Sequence, residues 1–169
     1  MARALPTPPA VDEAAFRSAM RRTAAGVAVI TTDGVGGRAG LTVSSFTSVS
    51  MEPPSVMFCV HQNARSYDTI VRNGTFVANI LSGEQEEVAK VFAGMVPHLR
   101  DDKFSAHGWS PIEGTAPALE GALSNIACTV AHVCEFGSHA IVVGAVTAVR
   151  ENEARPLVFS DRAFHRLPV

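Results

Sequence analysis

The chain has 169 residues, a length that suits one domain with a real core. Its 47% hydrophobic and 18% charged residues describe a globular chain rather than a disordered one, and a net charge of −2 supplies no basic surface for nucleic acid. The longest uncharged stretches, 121–134 and 136–149, fall short of the ~18–20 apolar residues that a helical membrane span needs, so no membrane association is expected.

Prolines occupy the N-terminus where a signal peptide carries its apolar centre, so residues 1–10 are expected to be a mobile tail, residues 11–169 one domain, and the compartment the cytoplasm. A helix is predicted over 12–23, with Asp12 as cap and Phe16, Ala19 and Met20 on one face. A β-rich run, 26–32, ends at Asp33-Gly34, a turn signal. Strands are predicted over 40–50 and 55–60, separated by Pro53-Pro54. Tyr67, Ile70 and Val71 fall at helical spacing before the stop Asn73-Gly74. The strand 75–81 follows, and then Ser82 with Gln85 forms a capping-box pattern opening a further helix. Residues 95–120 read as a long surface connection with at most a helical turn, and the C-terminal third as strands over 122–135, 139–149 and 156–160.

About seven strands with few helices between them argue against a doubly wound parallel sheet. Ile141, Val143 and Ala145 occupy one face of the strand 139–149, and Val142, Val146 and Ala148 the other. A strand apolar on both faces in so small a domain implies a barrel with an outer cover, either its own helices or a second subunit. Cys59, Cys128 and Cys134 show no disulfide or metal-site spacing and are expected to be small buried hydrophobes, Cys128 and Cys134 sharing one strand face.

One motif is a decoy. Residues 34–39, Gly-Val-Gly-Gly-Arg-Ala, match a dinucleotide fingerprint, but β-branched and serine-rich sequence follows where a helix must start, so a hairpin turn is expected. No Gly-x-Ser-x-Gly elbow and no His-x-x-x-His spacing occurs, which argues against a serine hydrolase and a zinc enzyme.

The informative features are four. Residues 42–50 carry Thr42, Ser44, Ser45, Thr47, Ser48 and Ser50 with no charge among them, a short neutral surface able to line a ligand site. Residues 61–66, His-Gln-Asn-Ala-Arg-Ser, lead into a helix whose amides, with Arg65, can hold a phosphate. Asn79 interrupts an apolar strand, and Gly137 permits a turn before His139.

Together with Lys103–Trp109, Pro117–Val130, Gly137–Val146 and Arg155–Leu167, in this order, these segments resemble the short-chain flavin reductases of the FMN-binding split-barrel superfamily. These are the reductase components of two-component flavin-dependent monooxygenases, and the likeness runs from about residue 13 to 167. It implies a mainly β fold with short helices, a Greek-key split β-barrel. It also implies NAD(P)H-dependent reduction of free FAD or FMN and a homodimer; NADH is preferred over NADPH because no cluster of basic residues is evident for a 2′-phosphate. Reduced flavin would diffuse to a partner monooxygenase. The flavin-binding residues it implies are Thr42, Val43, Ser44, Ser45, Thr47, Ser48, Ser50, Cys59, Val60, Arg65, Ser66, Asn79, His139 and Phe164. His139 would position the nicotinamide or the flavin edge, and Phe164 or His165 would close the pocket. Two positions depart from the family pattern: Ser44 stands in place of Asn, and Ser138 in place of Asp. A flavin-retaining oxidoreductase with another acceptor and a non-catalytic flavin-binding protein remain the alternatives.

Overall fold

The computed structural model describes residues 10–112 and 116–167, so the expected N-terminal tail lies outside the described residues except for Ala10. Among the described residues the order is α1 (Glu13–Arg21), β1 (Ala25–Gly26), β2 (Ala28–Thr32), β3 (Ala39–Val43), β4 (Thr47–Met51), β5 (Pro54–His61), α2 (Arg65–Asn73), β6 (Thr75–Ile80) and α3 (Glu86–Phe92). A 3-10 turn (Pro97–Leu99), β7 (Trp109–Pro111), β8 (Pro117–Leu119), β9 (Ser124–Phe136), β10 (His139–Glu151), β11 (Leu157–Ser160) and β12 (Ala163–Arg166) complete it.

Seven strands form one antiparallel sheet in the order β3-β2-β6-β9-β10-β5-β4. The two end strands are consecutive in sequence, and β3 also touches β5, so the sheet curls into a barrel-like wall. The core follows from this closure. Ala28, Ile30, Val43, Phe58, Val60, Phe76, Ala78, Ala140 and Val142 meet inside the wall, with Tyr67 and Ile70 of α2 packed among them. A second cluster joins Val27 and, from the opposite face of β2, Val29 to Val88, Ala89, Val91 and Phe92 of α3, and to Leu119 and Leu157. Every residue of β2 is therefore buried. Gly144 on β10 is required by packing, because a Cβ there would stand 2.4 Å from Phe76 Cζ.

The structure departs from the sequence-based expectations at five places. The single strand expected over 40–50 breaks at residues 44–46, since β3 and β4 belong to opposite ends of the sheet. The 95–120 connection contains the hairpin β7–β8, and β12 pairs with β11 in a small separate sheet with β1. The capping box at Ser82 is only half made: Gln85 Oε1 accepts the Ser82 N–H at 3.0 Å, but α3 begins at Glu86 without a side-chain cap. The cysteines also divide. Cys128 is buried, Cys59 half-buried and Cys134 exposed. A register shift between Val143 and Gly144, where one extra β9 residue is accommodated, reverses the alternation, so Cys128 faces in and Cys134 faces out. Finally, α1 forms as expected, capped by Asp12, yet buries none of its residues, and Phe16 and Met20 remain exposed.

The glycine-rich segment 34–39 is a hairpin connection between β2 and β3, pinned by the Gly36 N–H to Asn73 Oδ1 at 2.7 Å. No helix follows it, in agreement with the rejection of a dinucleotide fingerprint. Among the described residues no helix is long and apolar enough to cross a membrane.

Candidate active site

One end of the barrel gathers most of the chemistry-bearing side chains. β5 ends at His61, and a tight turn, closed by the Ala64 N–H to the His61 carbonyl at 2.9 Å, leads into α2. Ala64 occupies the N-cap of α2 and offers no side-chain acceptor, so the first amides of the helix lack the usual partner. Arg65 is exposed beside them and makes no ion pair among the described residues. Ser66, the next residue, is buried.

Across β5 lies β10, in register His139 with His61. Their rings stand 5.1 Å apart at 66°, edge to face. Gly137 (φ 58°) makes the turn from β9 to β10, a left-handed conformation that favours glycine. Three hydrogen bonds from Gln62 clamp that turn. Its N–H reaches the Ser138 carbonyl at 3.0 Å, and its Nε2 reaches the Gly137 and His139 carbonyls at 3.3 and 3.1 Å. Ser138 Oγ lies 2.9 Å from His139 Nδ1, so the hydroxyl at the position of the family's usual acid still contacts the imidazole.

The hydroxyl segment approaches from the other side. Ser45 Oγ accepts the Cys59 N–H at 2.9 Å and lies 3.3 Å from the Cys59 carbonyl, fastening the β3–β4 link to β5. Ser44, Thr47 and Ser48 are exposed. Behind the rim, Tyr67 donates its hydroxyl to Glu135 at 2.8 Å, and that bond, with burial and the nearby negative charge, raises the phenol above its ordinary range.

The expected site residues thus separate. Ser44, Ser45, Thr47, Ser48, Cys59, Arg65, Ser66 and His139 lie on the β3–β4 link, the paired strands β4, β5 and β10, and the start of α2. Val43 and Val60 place their side chains in the core, leaving only backbone for a ligand. Thr42 donates to the Ala89 carbonyl at 2.7 Å, which ties it to α3, and Ser50 accepts the Glu52 N–H at 3.0 Å. Asn79 requires correction. It is fully buried, its amide donates to the Val29 carbonyl at 2.8 Å, and its oxygen accepts from the Leu119 N–H and the Asn125 amide, both at 2.8 Å. It is a core bracket joining β2, β6, β8 and β9. Phe164 stacks on Phe159 at 5.1 Å beside the second core cluster, and its neighbour His165 bonds the Ser160 carbonyl, so neither joins the His139 rim within this chain.

Sequence reasoning missed His61 and Gln62 as site residues, although it singled out their segment. No local pattern marks them, because their partners lie on the β9–β10 turn.

The donor set fits a flavin phosphate: uncapped helix amides, an exposed guanidinium and neutral hydroxyls. Comparison with known proteins agrees. The FMN reductase (NADH) RutF of Methylorubrum populi is 42% identical over 159 residues, 94% of this chain and 78% of that protein. The 4-hydroxyphenylacetate 3-monooxygenase reductase component of Pseudomonas aeruginosa is 38% identical over 154 residues, 90% of this chain and 91% of that protein. Among solved structures, the NADH:FAD oxidoreductase SgcE6 of Streptomyces globisporus, in complex with NAD and FAD fragments, matches with a TM-score of 0.85 at 30% identity, covering 93% of each chain. A model of the flavin reductase like domain matches residues 20–168, and the chain belongs to that family.

Proposed function

We propose that this protein is an NAD(P)H:flavin oxidoreductase that reduces free FAD or FMN and supplies the reduced flavin to a separate monooxygenase. The observation that carries this reading is the juxtaposition, at one barrel end, of an uncapped helix start bearing Arg65 with His139, the cross-strand partner of His61 at the end of β5. When bound, flavin supplies the two-electron acceptor and the nicotinamide supplies the hydride. The chain's own contribution is placement. Arg65 and the first amides of α2 hold the phosphate. Ser44, Thr47 and Ser48 offer short hydroxyls to a polar ring edge or ribityl chain without bulk. His139, anchored by the Gln62 clamp, orients the nicotinamide amide or the flavin edge, so that two flat rings meet in a reactive geometry that entropy otherwise opposes.

The active form is a homodimer in this reading. Ile141, Val143 and Ala145, cross-strand from Cys59, Met57 and Ser55, stay half-exposed on the outer face of the wall, and Phe136 beside them is 82% exposed. Such a face suits a second copy. Action in the cytoplasm follows from the need for a pyridine nucleotide pool.

A steady-state assay tests the reading: oxidation of NADH or NADPH with free FAD or FMN as the varied substrate. Turnover over many equivalents of flavin supports it. Turnover that requires a different acceptor at stoichiometric flavin assigns a flavin-retaining oxidoreductase, and flavin binding without nucleotide oxidation assigns a binding protein.

A further inference from the structure

The edge-to-face contact between His61 and His139 is built from both sides. The Asn63 N–H donates to His61 Nδ1 at 3.1 Å, which fixes the ring of His61 and, in its neutral form, leaves the proton on Nε2. Ser138 Oγ meets His139 Nδ1, and Gln62 bonds the turn that carries His139. Two exposed imidazoles are thereby held in one arrangement, at the rim where the reaction would occur. We propose that His61 is a positioning residue of this site: its ring, set against His139, holds that imidazole in the orientation that hydride transfer uses. The proposal rests on the role given to His139 under the proposed function.

Two substitutions separate ring support from a structural role. His61→Asn keeps an acceptor for the Asn63 N–H, since an Asn side chain accepts from the amide two residues on, but removes the ring. His61→Phe keeps an aromatic ring against His139 but removes the acceptor. Ring support predicts that His61→Asn slows stopped-flow flavin reduction about tenfold, with the flavin Kd within about twofold of wild type, whereas His61→Phe loses only about threefold. In the flavin-free protein, the His139 ring protons should carry a ring-current shift in proton–carbon spectra that survives in His61→Phe and vanishes in His61→Asn. A wild-type rate in His61→Asn, equal losses in both variants, or His139 signals identical in all three proteins would each overturn the proposal. A wild type that reduces no flavin overturns the reductase reading and the positioning role with it, and the spectra then decide the ring contact alone.

Discussion

At the residue scale, the site is a set of small groups with distinct neighbours, and the neighbours predict distinct outcomes. His139→Ala should slow hydride transfer by about 10–100-fold, the loss expected from misplaced reactants rather than a deleted nucleophile. Flavin binding should survive, and stopped-flow reduction of bound flavin by NADH reads the difference. Arg65→Ala should raise the KM for FMN more than it lowers kcat, with riboflavin nearly indifferent because it lacks the phosphate. Equal losses for both flavins would mark Arg65 as structural. The serines divide in the same manner. Ser45 Oγ satisfies the Cys59 N–H, so Ser45→Ala should cost about 1–2 kcal/mol in a denaturant titration of the flavin-free protein. Ser48 is exposed, so Ser48→Ala should leave stability unchanged and weaken flavin binding by about 0.5–1.5 kcal/mol. Reversed results, with Ser48 stabilising and Ser45 neutral, would contradict the geometry.

At the scale of the elements, β9 shows how one extra residue reassigns chemistry. Before the bulge Cys128 packs with Phe76 and the core, and burial pushes its thiol from the ordinary 9.0 up to about 12. After the bulge Cys134 is exposed. A thiol reagent at pH 8 should reach Cys128 only on unfolding, whereas Cys134 and Cys59, on the outer face proposed to meet a second copy, should label faster as the protein is diluted towards monomer. The linkage has a definite sign. The unfolded thiol ionises near 9 while the folded one stays protonated, so its stabilising contribution is complete below that pH and is lost as pH rises towards 12. Denaturant midpoints across pH 8–11 should fall more steeply in wild type than in Cys128→Ala, and parallel curves would remove the effect. Helix α2 is the other decisive element. It fills the barrel end with Tyr67 and Ile70, and the same placement leaves its uncapped start one tight turn after His61.

For the whole molecule, the uncovered surfaces matter most. The outer face of β10 and β5, with Ile141, Val143 and Ala145 half-exposed and Phe136 exposed beside them, presents apolar surface to water. A second copy would bury it. Sedimentation should therefore give a dimer for the wild type, and Val143→Glu, on that face, should shift the protein towards monomer while the far-ultraviolet spectrum stays native. A wild type that sediments as a monomer at micromolar concentration would reject the homodimer.

The sequence by itself determined the β-rich class, the rejection of the Gly34–Ala39 fingerprint and the helix stop at Asn73-Gly74. Each depends on local stereochemistry or on period-two patterning, which neighbouring residues contain in full. The tertiary structure decided the rest. It split the hydroxyl strand, because β3 and β4 close the sheet from opposite ends. It turned Asn79 inward, because four strands converge there and leave amides only a polar side chain can satisfy. It moved Cys134 outward through a bulge visible only in the pairing of β9 with β10. And it set His61 against His139, since cross-strand register joins residues that no sequence window holds together.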